Sequence, residues 1–305
     1  MRRAVVDIGT NSTRLFLTDV DDSTVGDVLE RRTAITRLGA GVDADGRLAE
    51  DAMERVYAVL DDYRELIDRH GGAEAVAVMT SAVRDAANGA QFADVVRARW
   101  GFEPRVLTGD EEARLTFLGA TSQRDAGDRA PTLVIDIGGG STEFVIGTGH
   151  EVTFHVSNQA GVVRQTERHL HSDPPTVTER ETLARDVRAI FGDAVPVEYR
   201  RSVEHAIGVA GTATSMASIA QKLEPYDPDK VEGYIVSAAE CREILERLAA
   251  LTVAERRRVR GLHPDRAPTI VAGVIILLET LALFGLHDFE VSENDILRGA
   301  ALGLF

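Results

Sequence analysis

The sequence predicts an α/β protein made of two similar domains, each with a mixed β-sheet flanked by helices. A strand–glycine–strand pattern occurs twice, as AVVDIGTNSTRLFLTDV at residues 4–20 and as TLVIDIGGGSTEFVIGT at residues 132–148. After each copy, helical segments alternate with short apolar strands. Duplicated domains of this kind usually bind ligands in the cleft between the copies, so we expect the active site there.

The first half begins with three predicted strands, near residues 3–9, 13–20 and 25–38, separated by the turns GTNS and DDST. A glycine-rich loop, LGAGVDADGR, follows them. Apolar residues at helical spacing then predict a helix over residues 53–67, which Gly71 and Gly72 end. A strand at 75–79, a helix after 85, a strand at 105–107 and a helix from 110 complete this half.

The second half repeats this plan, with strands predicted at 132–136, 143–146 and 152–156 and a helix beginning near Gly161. The polar segment SQRDAGDRAP, at residues 122–131, contains a glycine and a proline and is the predicted linker. We therefore expect an N-terminal domain at 1–123 and a C-terminal domain at 124–305. The apolar run at 269–285 is too short to span a bilayer and contains Glu279, so it predicts a buried helix.

The composition is that of an ordinary globular protein, with 44% hydrophobic and 27% charged residues. A single cysteine excludes an intrachain disulfide and a thiolate metal cluster. There is no signal region, so we expect a cytoplasmic protein without a membrane partner. The net charge of −15 argues against nucleic acid as a partner, and a smaller phosphate ligand would have to be bound by local arginines.

In each copy of the repeat, a hydrophobic strand ends in an aspartate, Asp7 or Asp136, and enters a turn of small residues. Glycines let the main chain approach a ligand, and successive amide groups in such a turn bind anions. A strand-end aspartate can hold Mg²⁺ directly or through water, because hard cations favour carboxylate oxygens. Either turn alone is equally well explained as an ordinary tight hairpin, but two matching turns favour a pair of phosphate loops. The candidate phosphate ligands in them are Gly9, Thr10, Asn11, Ser12, Gly138, Gly139, Gly140, Ser141 and Thr142.

The two copies differ just after their shared Ser–Thr pair, where the first has Arg14 and the second has Glu143. Because alternate residues of a strand face opposite sides, Glu143 can project beside Asp136. One copy would then supply a phosphate-binding cation and the other a carboxylate for metal or water. A solvated charge at the end of a strand is the alternative. On this basis Asp7, Asp136 and Glu143 are candidate metal ligands, and Asp136 and Glu143 are also candidate catalytic residues.

Further segments make a family resemblance visible. TSAVRDAANG, TGDEEARLTFLGA, DIGGGSTEFVIG, AGVVRQTERHLHSDPP and GVAGTATSMA occur in this order along the chain. The paired loops resemble the actin-like ATPase superfamily, and the ordered segments resemble the exopolyphosphatase and guanosine-pentaphosphate phosphatase family, Ppx/GppA, in its short two-domain form. The resemblance covers essentially the whole chain and implies duplicated ribonuclease-H-like domains of the actin-like ATPase type.

Glu112 is the predicted catalytic base. It lies in the segment TGDEEAR, where Thr108 and Glu111 have the spacing of a capping box at a helix start. A helix N-terminus favours an ionised carboxylate, which a base needs near neutral pH. The resemblance indicates the same residue, since the family's catalytic glutamate directly precedes the alanine. The alternative, an acidic residue of an ordinary first helical turn, suits Glu111 better than Glu112.

Other candidate ligands lie outside the two loops. Arg84 follows a predicted strand, and the resemblance makes it a phosphate ligand, while Asn88 would hold either that arginine or the phosphate. Arg164 follows a glycine turn at a helix start and is a further candidate. Gly211 and Thr212 belong to a third turn of small residues that we expect to line the site.

The expected reaction is hydrolytic release of terminal phosphate from inorganic polyphosphate, with Mg²⁺ or another divalent cation such as Mn²⁺. Hydrolysis of guanosine pentaphosphate is the nearest alternative, so the expected partner is polyphosphate or a phosphorylated guanosine nucleotide. An actin-like kinase and a non-catalytic sensor of polyphosphate or nucleotide are alternatives of other classes. Glu112 and Glu143 together argue against the sensor, and the lack of a long adenosine-binding insertion argues against the kinase. A homodimer is a further possible assembly.

Overall fold

The computed structural model describes residues 1–21, 24–125 and 127–304. The packing of the backbone divides the chain into two units, of which unit 1 is Met1–Gly119 with Ile296–Phe305 and unit 2 is Ala120–Asp295. The predicted DDST turn contains residues 22 and 23 and the predicted linker contains residue 126, and these positions lie outside the described residues. Each unit has its own sheet and its own core.

The elements of each unit are three consecutive strands followed by helices and further strands. Those of unit 1 are β1 (Arg2–Ile8), β2 (Ser12–Asp21), β3 (Thr24–Ile35), α1 (Val42–Asp45), α2 (Glu50–Arg69), β4 (Glu74–Met79), α3 (Ser81–Asp85), α4 (Gly89–Trp100), β5 (Glu103–Val106), α5 (Gly109–Thr121) and, at the end of the chain, α14 (Ile296–Gly303). Those of unit 2 are β6 (Thr132–Ile137), β7 (Thr142–Thr148), β8 (Glu151–Asn158), α6 (Val162–His169), α7 (Val177–Ala194), α8 (Val197–Ser202), β9 (His205–Val209), α9 (Ala210–Gln221), α10 (Pro228–Val231), β10 (Ile235–Ser237), α11 (Ala238–Ala249), α12 (Val253–Arg256), a 3₁₀ helix (Pro264–Arg266), α13 (Ile270–Phe284) and β11 (Asp288–Val291).

The two sheets share one strand plan. In unit 1 the order is β3-β2-β1-β4-β5, and β1 pairs antiparallel with β2 and parallel with β4. In unit 2 the order is β10-β11-β9-β6-β7-β8, and β6 pairs antiparallel with β7 and parallel with β9. The second sheet therefore repeats the first and adds β10 at one edge. The prediction of duplicated α/β domains with mixed sheets is confirmed.

The long helix α2 shows how the local sequence determines an element. Its first turn carries Glu50 and Asp51, whose charges suit a helix N-terminus. Its buried residues recur at helical spacing and include Val56, Leu60 and Ile67. The chain leaves the helix through two glycines in the left-handed region, at φ 87° and 84°, where the sequence predicts its end.

The core of unit 2 contains aromatic contacts and one largely apolar helix, α13. The ring of Phe144 lies 4.8 Å from that of Phe191 and 5.5 Å from that of Phe284, both in edge-on geometry. Phe284 ends α13, most of whose side chains are buried, as predicted for the apolar run. None of the helices in the described part of the chain is both long enough and apolar enough to cross a membrane.

The last helix belongs to unit 1, whereas the sequence predicts that residues 124–305 form one C-terminal domain. The reason is burial, because α14, together with α5, covers side chains of β1 and β2. Leu297 is 2% exposed and packs in the same cluster as Val5 and Phe16. Gly299 lies against α5, where a Cβ would be only 1.8 Å from the carbonyl oxygen of Leu115. The order of elements does not reveal such a return to the first sheet.

Leu297→Ala is expected to lower the free energy of unfolding by about 2–5 kcal/mol, because it removes a buried side chain and leaves a cavity. Denaturant unfolding of the purified protein measures this change. Val28→Ala is the control, since Val28 is 49% exposed and its truncation should change stability by no more than about 0.5 kcal/mol. A Leu297→Ala loss as small as the control's would show that α14 does not stabilise unit 1.

Candidate active site

The two predicted phosphate loops form the same turn at the ends of β1 and β6. In unit 1 the amide of Gly9 donates a hydrogen bond of 3.0 Å to the carbonyl of Ser12. In unit 2 the amide of Gly138 donates one of 2.9 Å to the carbonyl of Ser141. The repeated sequence is therefore a repeated backbone structure.

Strand register sets which charges lie beside each loop. Asp7 is paired with Arg14 across β1 and β2, and Asp136 is paired with Glu143 across β6 and β7. The guanidinium of Arg14 donates to one oxygen of Asp7, over 2.9 Å from Nε and 2.6 Å from Nη2. Glu143 instead accepts a 2.7 Å hydrogen bond from the hydroxyl of Ser157. Unit 1 thus has an ion pair where unit 2 has two carboxylates.

The loop of unit 2 is held from behind by α6. The amides of residues 162–164 donate to the carbonyls of Gly138 and Gly139 over 2.9 to 3.3 Å. The side chain of Arg164, a predicted phosphate ligand, donates from Nε to the carbonyl of Gly140 over 2.9 Å. In the structure, Arg164 therefore holds the loop in place.

Gly161 makes this bracing possible. A Cβ on this residue would lie 2.3 Å from the carbonyl oxygen of Gly139 and 2.4 Å from the carbonyl carbon of Gly140. Real side chains do not approach backbone so closely, so only glycine lets α6 begin directly behind the loop.

The bracing uses carbonyls and leaves amides available. Within the described residues, the backbone amides of Thr10, Asn11, Gly139 and Gly140 donate no hydrogen bond to protein. Successive amides of this kind form an anion-binding concavity. Each loop therefore retains donors that suit a phosphate oxygen.

Thr142 differs from the other loop residues in what its side chain does. It is fully buried, and its hydroxyl donates a 2.7 Å hydrogen bond to the carbonyl of Ala160. The hydroxyl thus joins the loop to the chain before α6, and the role of Thr142 as a phosphate ligand stays a prediction.

The two glutamates at the start of α5 have separate roles. Glu111 forms the predicted capping box, accepting hydrogen bonds of 2.9 Å from both the amide and the hydroxyl of Thr108. These bonds hold the pKa of the Glu111 carboxyl below its usual value. Glu112 lies 3.3 Å from Nη1 of Arg84, which also donates to the carbonyl of Leu107 over 2.9 Å. Arg84 thus brings a positive charge to the predicted base.

Asn88 is a structural residue in this chain. Its side-chain oxygen accepts from the amide of Leu48 over 2.8 Å, and its amide group donates to the carbonyl of Leu48 over 3.0 Å. The side chain is 9% exposed. The described contacts of the Asn88 side chain are with Leu48 and not with Arg84, and its contact with a phosphate stays a prediction.

The third turn lies beside the second loop and is contacted by an arginine that sequence reasoning missed. β9 ends opposite Asp136, and the chain then adopts a left-handed conformation at Ala210, with φ 59°. The guanidinium of Arg266 lies against Gly211, so closely that a Cβ there would be 1.6 Å from Nη1. Thr212 is 3% exposed. No motif around Arg266 identifies it, because it comes from a distant 3₁₀ helix.

Comparison with known proteins identifies the family of this chain. Residues 16–302 match the model of the Ppx/GppA phosphatase family. The chain belongs to that family. It is 41% identical to Exopolyphosphatase 2 of Mycobacterium tuberculosis over an alignment of 318 residues that covers 99% of this chain and 98% of the relative.

Solved Ppx/GppA structures share the fold. The Aquifex aeolicus family member is 31% identical, with a TM-score of 0.85 over 100% of this chain and 97% of the other. An exopolyphosphatase from Cytophaga hutchinsonii is 27% identical, with a TM-score of 0.87 over 100% and 97% of the two chains. The predicted two-domain actin-like fold is therefore confirmed.

Three carboxylates of this Ppx/GppA chain, those of Asp7, Asp136 and Glu143, are the predicted ligands of a divalent cation. Asp136 and Glu143 supply oxygen donors on neighbouring strands, which suit Mg²⁺. Nowhere in the described residues are three or more His, Cys, Asp or Glu side chains grouped so as to hold an ion. Mg²⁺ usually keeps several waters and takes substrate oxygens, so two carboxylates fit it. Asp7 fits less well, because Arg14 occupies one of its oxygens.

Gly161→Ala is expected to shift the second phosphate loop of this Ppx/GppA chain, because the new methyl overlaps the loop backbone. Overpacking of this kind costs about 1–3 kcal/mol of stability. Thermal unfolding and calorimetric titration with inorganic phosphate measure the two effects, a lower Tm and weaker binding.

Gly192→Ala is the matched control, because nothing lies within 4 Å of its added Cβ and it lies in α7 of the same unit. It should stabilise the helix by about 0.5–1 kcal/mol and leave phosphate binding unchanged. Equal behaviour of the two variants would mean that α6 does not brace the loop.

Proposed function

We propose that this chain is an exopolyphosphatase, which hydrolyses the terminal phosphoanhydride bond of inorganic polyphosphate and releases orthophosphate. The observation that carries the proposal is the carboxylate of Glu112, which lies beside the guanidinium of Arg84 while the neighbouring Glu111 caps the helix. The relative named Exopolyphosphatase 2 supports polyphosphate as the substrate.

In the proposed reaction a water attacks the terminal phosphorus, the bond to the bridging oxygen breaks, and Glu112 takes the proton of the water. A general base must be ionised at the working pH and within hydrogen-bond reach of that proton. The N-terminus of α5 and the guanidinium of Arg84 both favour the ionised carboxylate. Arg84 is then placed to contact the terminal phosphoryl group as well as the base.

The substrate's negative charge is taken up by backbone amides and arginines. The amides of residues 10–11 and 139–140 are the proposed donors to phosphate oxygens. Arg14 adds a guanidinium whose orientation Asp7 fixes, and Arg266 adds one beside Gly211. Guanidinium groups suit this role, because their planar array of donors matches phosphate oxygens.

Asp136 and Glu143 are the proposed ligands of a divalent cation, Mg²⁺ or Mn²⁺. Bound there, the cation would neutralise phosphoryl charge and polarise a coordinated water. The hydrogen bond from Ser157 keeps Glu143 in one orientation for this purpose. In the proposal, Asp7 orients Arg14 through their ion pair and does not bind the cation. The proposed cation ligands therefore all belong to unit 2.

The direct test compares orthophosphate release from polyphosphate, guanosine pentaphosphate and ATP by the same purified protein. We expect the highest kcat/KM for polyphosphate. Guanosine pentaphosphate also ends in a phosphoanhydride, so the catalytic groups do not choose between the two substrates. Recognition of guanine would need a shaped apolar or aromatic surface, and only 5% of the residues are aromatic. A higher kcat/KM for guanosine pentaphosphate than for every polyphosphate length would overturn the substrate assignment.

Glu112→Gln is expected to lower kcat by about 10²- to 10⁴-fold, the usual contribution of a general base, with little change in KM. Steady-state release of phosphate from polyphosphate measures both constants. Glu111→Gln is the matched control, because it makes the same change one residue earlier and glutamine also forms a capping box. It should retain parental turnover. If the Glu112 variant retains turnover, or if both variants lose it equally, Glu112 is not the base.

A further inference from the structure

Arg37 occupies a backbone conformation that an arginine rarely adopts. Its φ is 51°, in the left-handed region where a residue with a Cβ is strained. Glycine would remove this strain, and the same connection has glycines at positions 39, 41 and 46. Strain of this kind tends to be retained where the surroundings fix the backbone and the side chain has a function.

The position of Arg37 is fixed from both sides. Thr36 is 1% exposed and Leu38 is fully buried, so the residues flanking Arg37 are anchored in unit 1. The hydroxyl of Thr36 lies 3.0 Å from that of Thr13, and its carbonyl accepts a 2.9 Å hydrogen bond from Arg55. Arg37 itself is exposed. The exposed side chain of Arg37 therefore extends from a backbone segment whose position is fixed by its neighbours.

The backbone segment around Arg37 is hydrogen-bonded to the first phosphate loop. The amides of Thr36 and Arg37 donate to the carbonyl of Asn11 over 3.1 and 3.0 Å, and the amide of Gly39 donates to the carbonyl of Thr10 over 2.9 Å. Gly39 lies so close to Thr10 that a Cβ would be 2.3 Å from its methyl group. Arg37 is thus next to the loop whose amides are the proposed phosphate donors.

The charge of Arg37 also differs from the charges of the neighbouring arginines. Arg14 lies 2.6 Å from Asp7, and Arg84 lies 3.3 Å from Glu112, so a carboxylate partly neutralises each. Among the side chains that the structure describes, which do not include that of Asp43, no Asp or Glu oxygen lies within 4.0 Å of the guanidinium of Arg37. Its full charge is available to an anion.

We propose that Arg37 binds an internal phosphate of the polyphosphate chain, next to the phosphates held by the first loop, and so determines the preference for longer chains. This inference rests on the proposed exopolyphosphatase activity. A linear polyanion presents further phosphates beyond the terminal ones, and a rigid guanidinium can bind one of them with little loss of side-chain entropy.

The test compares kcat/KM for tripolyphosphate and for a polyphosphate of about 50 phosphate units. The longer substrate is chosen so that it extends beyond the phosphates bound by the loops. Arg37→Ala should lower the ratio of the long-chain value to the tripolyphosphate value by about threefold to tenfold, as expected for one charge-assisted contact at an exposed position. The loss should lie in KM, and Arg37→Lys should recover part of it. KM of the alanine variant should also depend less steeply on salt.

Two controls separate the side chain from the backbone and from overall charge. Arg37→Gly removes the side chain and the strain together, so it should lower the ratio as Arg37→Ala does while its Tm stays at or above the parental value. Arg47→Ala removes another exposed arginine of the same connection, and its ratio should equal that of the parent.

The outcomes are distinguishable. If the parent hydrolyses polyphosphate but the Arg37 variants keep the parental ratio, or if Arg47→Ala lowers the ratio equally, the role of Arg37 is overturned and the proposed function stands. If the parent releases no phosphate from polyphosphate of any length, the proposed function fails and the inference fails with it.

Discussion

The pairing of a strand that ends in aspartate with the strand that follows its glycine turn is the constraint on which both candidate loops depend. One hydrogen bond across the turn, from Gly9 to Ser12 or from Gly138 to Ser141, closes it in the same way in each unit. Because the register is then fixed, the residue opposite the aspartate is determined by sequence alone. The residue at this position is arginine in unit 1 and glutamate in unit 2, so unit 1 has an ion pair where unit 2 has a pair of carboxylates.

The same turn is supported differently in the two units, and each support brings a further group to the loop. In unit 2 the N-terminus of α6 donates to the loop carbonyls, which is sterically allowed only because residue 161 is glycine. In unit 1 the support is the segment after β3, which donates to the carbonyls of Thr10 and Asn11 and carries Arg37. In both cases the carbonyls bind protein and the amides face no protein acceptor within the described residues, which is the arrangement an anion needs.

Much of the fold and part of the site could be predicted from the sequence, because both depend on local patterns. The repeated strand–turn–strand segments, the alternation of helices and strands, and the capping box of Glu111 are all expressed within a few residues of one another. The return of α14 to the first sheet and the approach of Arg266 to Gly211 depend on packing between distant segments, and no local pattern records them. Asn88 and Thr142 show a second reason why sequence patterns do not identify ligands. A polar side chain near a site can form hydrogen bonds that join two stretches of backbone.

The overall charge raises a further question, because a protein of net charge −15 is proposed to bind a polyanion. Two features reconcile these charges. At physiological salt the Debye length is about 8 Å, so repulsion from most surface carboxylates is screened before it reaches the site. Within that distance the balance depends on local groups, and there Asp7 and Glu112 offset part of the charge of Arg14 and Arg84. In unit 2, taken by itself, Asp136 and Glu143 lie opposite each other on paired strands, and a bound polyphosphate would bring more negative charge. In the proposed function, a divalent cation at these carboxylates would offset that charge, since without it the second loop would present two carboxylates to the phosphate that it is proposed to bind.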